Sequence, residues 1–110
     1  MVKETITRIE DRIKTNASLS PEKKQELLAL VGDLDKEIAA LAETHTDDAR
    51  SVAGLTEAVV HEATRKEVNQ DLLKNSLDGL SLSVRAFEVS HPQLTGVINT
   101  IGQTLWKMGI

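Results

Sequence analysis

A chain of 110 residues, 40% of them apolar, has the size of one domain with one modest core, and its two halves would each be too small to bury enough surface alone. Thirteen basic against 17 acidic side chains leave a net charge of −4, without the basic excess that draws a protein to a phosphate backbone, so nucleic acid is excluded as a partner. The absence of cysteine removes disulfides and thiolate metal sites, and no stretch approaches the roughly 20 apolar residues that span a bilayer.

The amino terminus, MVKETITRIEDRIK, alternates charge with isoleucine and has no apolar run of signal-peptide type, so a cytoplasmic protein is expected. Val2, Ile6, Ile9 and Ile13 stand at steps of four, three and four, one face of a helix predicted over residues 2–15. Glu4 with Arg8, and Glu10 with Lys14, are spaced to pair along its exposed side, at about 0.2–0.5 kcal/mol each. Residues 16–20 have turn composition. Ser20 then offers a capping hydroxyl, and Pro21 is preset for a first helical turn.

The second predicted helix covers residues 21–43, with Leu27, Val31, Leu34, Ile38 and Leu41 on one face and Leu28, Leu30 and Ala42 widening it. Gly32 lies inside it at a cost of about 1 kcal/mol relative to alanine, and close approach of another helix is the expected reason. His45, Thr46, Asp47 and Asp48 read as a break and a new start, with Thr46 or Asp47 as the cap and Asp48 in the acidic first turn.

Val52, Thr56, Val59 and Ala63 continue a helical face, but a weak one, built of small and β-branched side chains. Between Ala63 and Leu72 the only apolar residue is Val68, so this stretch is either a solvated helix or a hinge. Leu73, Leu77, Leu80, Val84 and Phe87 resume a strong face. Residues 48–89 thus form either one helix of roughly 60 Å or two shorter ones, with Gly79 a second place to bend.

Ser90, His91 and Pro92 are a clear stop, because proline forces the residue before it out of helical geometry. The last helix carries Leu94, Ile98, Ile101, Leu105 and Met108 on one face, and Val97 broadens it. So short a connection implies an antiparallel hairpin, with Phe87 near Leu94 and Ile98, and with Leu77 and Leu80 facing Ile101 and Leu105. The fold class is therefore all-α: a single domain over residues 1–110, a small antiparallel helical bundle with a C-terminal helical hairpin and coiled-coil-like packing. The candidate packing or interface residues are Leu73, Leu77, Leu80, Val84 and Phe87 on one arm of the hairpin, and Leu94, Ile98, Ile101, Leu105 and Met108 on the other.

The ending FEVSHPQLTGVINTIGQTLWKMGI resembles the carboxyl-terminal signature of a small bacterial family, domain of unknown function 4404, in Phe87, Glu88, His91, Pro92, Leu94, Leu105, Met108, Gly109 and Ile110. Residues 19–38, LSPEKKQELLALVGDLDKEI, are similar to that family's amino-terminal half, whereas residues 45–69 and Trp106 depart from its pattern. The resemblance implies a small all-helical protein and brings no activity with it.

Chemistry is hard to place on these residues. His61 and Glu62 begin like a zinc-protease helix, but Arg65 stands where the second histidine is required. The acids beside His45 are accounted for by the start of a helix. The six glycines form no phosphate-binding loop, and no serine stands in a glycine-rich strand-to-helix turn. No catalytic residue, cofactor or metal site is assigned, and an enzyme is not expected. The repeated three-four spacing averages 3.5, the period at which helices wrap on one another, so a self-associating structural or interaction module is expected, with a homodimer favoured. The alternative is reversible binding to a membrane surface or an apolar ligand through the last helix, with Trp106 and Lys107 at the interface. The neutral polar face of Asn99, Thr100, Gln103 and Thr104 disfavours a membrane.

Overall fold

A computed structural model describes residues 2–109, and among these the chain forms five α-helices: α1 (Val2–Thr15), α2 (Pro21–Ala42), α3 (Thr46–Ala63), α4 (Gln70–Val84) and α5 (Pro92–Gly109). The predicted start at Ser20 is made by its hydroxyl, which accepts from the Lys23 amide at 3.2 Å. The choice left open for residues 48–89 falls to two helices. Residues 64–69 leave helical geometry, and the side chain of Asn69 caps α4 by accepting from the Leu72 amide at 3.1 Å. Gly79 does not interrupt α4, which ends at Val84 and tightens into a 3-10 turn over Arg85–Phe87.

Three local expectations are corrected. The residue at the cap position of α3 is His45, not Thr46 or Asp47; Thr46 is already helical, and its hydroxyl donates back to the Ala42 carbonyl. Gly32 makes no close approach, since a Cβ built there would meet nothing within 4 Å. Arg8 turns from Glu4 to Glu57 on α3, donating through Nε at 2.7 Å and through Nη2 at 3.3 Å, because a two-pronged match to a carboxylate outweighs a pairing along one helix.

Consecutive helices run antiparallel. The second to fifth form a four-helix arrangement in which α2 and α4 each lie beside both α3 and α5, while α1 covers the groove between α2 and α3. At the centre is α3, which touches all four other helices. Its buried residues are Ala49, Val52, Ala53, Thr56, Val59, Val60 and Ala63, none larger than valine. The face that reads as weak is the hub: a helix enclosed by neighbours at 8–10 Å needs small side chains. Thr56 is fully buried yet satisfied, its hydroxyl donating to the Val52 carbonyl at 2.8 Å.

The accessible surface is 6368 Å², close to the roughly 6000 Å² expected for a compact chain of this mass. One copy therefore encloses its own core. Among the described residues no helix is long and apolar enough to cross a membrane.

Candidate interaction surface

The ten packing or interface candidates divide by depth. Leu73, Leu80, Val84, Phe87, Leu94, Ile98, Ile101 and Leu105 are buried within the chain itself, while Leu77 and Met108 are half-buried. The three-four stripes of the hairpin are thus consumed by contacts with α2 and α3 as well as with each other, and any surface for a second molecule lies beside them rather than on them.

Such a surface runs between α4 and α5, where Leu77 reaches over Gly102 and opens a shallow groove of about 290 Å³. A Cβ at Gly102 would already touch Leu77 Cδ2 at 3.4 Å, so a larger residue there would displace the leucine. Leu80 and Ile98 form the floor, and Ser81, Asn99, Gln103 and Trp106 form the walls. No charged side chain lines it. The spacing of Asn99, Gln103 and Trp106 puts all three on one face of α5, and Trp106, the only tryptophan in the chain, is half-buried there. The remaining exposed large apolar residues, Leu72, Leu82 and Val89, stand singly, which is ordinary for a protein surface.

A larger cleft of about 440 Å³ lies between α1 and α3, but its arginines and carboxylates are already engaged. Glu57 holds Arg8, Glu62 holds Arg65 at 3.0 Å, and Arg12 donates to the Thr64 hydroxyl at 2.8 Å. The contacts of Arg8 and Arg12 fasten α1 to α3 and its end, whereas Glu62 and Arg65 pair locally, three residues apart. The Glu57 carboxylate, through its hydrogen bond and its charge, raises the pKa of Arg8.

The histidines are placed differently from one another. His61 is exposed on α3, 3.9 Å from Glu62. His45 and His91 both lie against Phe87, edge to face, with ring centroids 5.1 and 5.9 Å from it. Each has a neighbouring hydroxyl at Nδ1, Thr44 at 2.7 Å and Ser90 at 3.0 Å. The phenyl ring between them makes this an aromatic cluster. Among the described residues no three histidine, cysteine, aspartate or glutamate side chains gather in a way that would hold a metal ion.

Leu77 was visible in the sequence as an apolar residue at helical spacing, and Trp106 as a candidate for an interface. Asn99 and Gln103 were read only as part of a neutral polar face, and Gly102 and Ser81 carried no signal, because neutral and small residues on an outer helix face look the same whether they line a groove or meet water.

No curated protein and no solved structure matches the chain. Residues 60–110 match the family described as Domain of unknown function (DUF4404). The match takes in α4, the 3-10 turn, α5 and the last residues of α3. It includes residues 60–69, within the stretch read from the sequence as departing from the family, and does not reach residues 19–38. Of the signature residues, Phe87, Leu94 and Leu105 are core, His91 packs on Phe87, and Ile110 lies outside the described residues. What is similar to the DUF4404 family is therefore the segment of residues 60–110, which holds the helical hairpin and the groove upon it.

Proposed function

We propose that this chain is a non-enzymatic helical interaction module that pairs with a second copy of itself through the face formed by α4 and α5. The observation that carries the reading is the groove of Leu77, Gly102 and Trp106, lined by no charged side chain in a protein of net charge −4. Two identical acidic molecules repel wherever charge meets like charge, so a self-pairing surface is best placed where charge is absent. An isologous contact would set Trp106 of each copy into the groove of the other, the usual role of a rim tryptophan. The neutral walls, one hydroxyl and two amides, suit recognition better than acid–base chemistry. A cytoplasmic location is part of the reading, and cell fractionation tests it.

Sedimentation equilibrium across a concentration series is the direct measurement. The average mass should rise from one chain towards two, and the Trp106 emission should shift to the blue over the same range. Ser81 and Gln103 are exposed, so the double change S81E/Q103E should hold the protein at single-chain mass without altering its thermal midpoint. A mass that stays at one chain throughout would reject the pairing.

Membrane-surface binding through α5 has less support. Leu94, Ile98, Ile101 and Leu105 are each at most 1% exposed, so offering them to lipid would mean withdrawing four large side chains from the core. At 1.5–3 kcal/mol each this costs roughly 6–12 kcal/mol, comparable to the whole stability of a small domain. Flotation with phosphatidylcholine liposomes tests it, and capture of the intact protein would restore it.

A further inference from the structure

The chemistry changes at the end of the bundle where α1, α3 and α5 finish. There the α1–α2 connection faces the α3–α4 connection across a cavity of about 400 Å³. Lys23, Arg65 and Lys66 line it, and no carboxylate does, although acids outnumber bases in the chain as a whole. Asn16, Ser18 and Ser20 supply neutral hydrogen-bonding groups. Leu19, Ala63, Val68 and Met108 add an apolar wall.

The positive charge is available. Lys23 meets Glu26 at 3.2 Å in an exposed pair of the kind that exchanges readily, and Arg65, itself exposed, meets the half-buried Glu62 at 3.0 Å three residues away. Lys66 has no ion pair among the described residues. The first turn of α2 opens at the same place, and its positive dipole end adds to the field of the three side chains. Like charges gathered around a hollow repel one another and lose that repulsion when an anion enters.

We propose that this cavity binds a phosphate monoester carrying a short apolar group. Its doubly negative head lies among Lys23, Arg65 and Lys66, and its apolar body lies against Val68 and Met108. The matching chemistry occurs both in small soluble phosphates and in the headgroup of phosphatidic acid. The three cations come from the first turn of α2 and from the α3–α4 connection, more than 40 residues apart in sequence, so only folding brings them together.

The test uses the full chain, labelled with nitrogen-15 and titrated with phenyl phosphate at low ionic strength, alongside sedimentation with phosphatidylcholine vesicles that contain or lack phosphatidic acid. Saturable amide shifts confined to residues 16–23 and 63–68 are expected with phenyl phosphate, and phenol should give none. R65E/K66E should weaken binding roughly tenfold or more, as expected from losing charge-assisted contacts, with the thermal midpoint unchanged. Binding of phenyl phosphate identifies a soluble source; binding only to vesicles that contain phosphatidic acid, lost in the same variant, identifies the lipid headgroup. Absence of both, or shifts spread over remote lysines such as Lys36 and Lys74 and unaffected by R65E/K66E, would overturn the proposal.

Discussion

The two ends of this bundle solve the same problem differently. Where α2 passes to α3 and α4 passes to α5, the connections close around one ring, Phe87, held between His45 and His91. At the other end the first turn of α2 carries Lys23, the α3–α4 connection carries Arg65 and Lys66, and a cavity remains between them. An aromatic ring fills the gap between two turns and excludes water, whereas cations keep their hydration and stand apart. The same helices are thus sealed at one end and left open at the other by the composition of a few connecting residues.

Removing the seal is the most disruptive way to break this contrast. Phe87→Ala empties the space between the two imidazoles and should cost about 3 kcal/mol, read as a lowered midpoint in urea and a fall of roughly 10–20 °C in Tm. R65E/K66E at the open end, by comparison, should leave the same curves in place, and an equal loss there would show that the open end is also structural. Smaller effects are expected from the caps. α2 and α4 both begin at the open end under side-chain caps, Ser20 and Asn69, whereas α3 begins at the sealed end with none. Ser20→Ala or Asn69→Ala should each cost about 1 kcal/mol in urea unfolding, and His45→Ser, which supplies a cap that α3 lacks, should recover part of what it loses at Phe87. The smallest effect has the opposite sign. Thr95, near the start of α5 at the sealed end, buries a hydroxyl that has no hydrogen-bond partner among the described residues. Thr95→Val should therefore raise stability by up to about 1 kcal/mol, and a loss instead would mean that the hydroxyl is solvated and the sealed end is not dry.

The family match gives this contrast a boundary. Residues 60–110 hold Phe87, His91, Arg65 and Lys66, but His45 and Lys23 fall outside them. Each end is therefore completed from outside the matched residues, the sealed one by His45 and the open one by Lys23 and the α1–α2 connection. The groove of Leu77, Gly102 and Trp106, in contrast, lies wholly within it.

The sequence by itself determined the elements whose signals are local. The steps of Val2, Ile6, Ile9 and Ile13 marked α1, Ser20 with Pro21 marked the start of α2, and Pro92 marked that of α5, because periodicity and capping act within a few residues of themselves. Only the tertiary structure decided what depends on neighbours. It made the small-residue face of α3 the hub, sent Arg8 to Glu57, left Gly32 in open space, and buried the hairpin stripe within one chain. It also set Lys23 beside Lys66 and Gly102 beneath Leu77, since a side chain's partner across a bundle is fixed by how helices pack and not by its place in the chain.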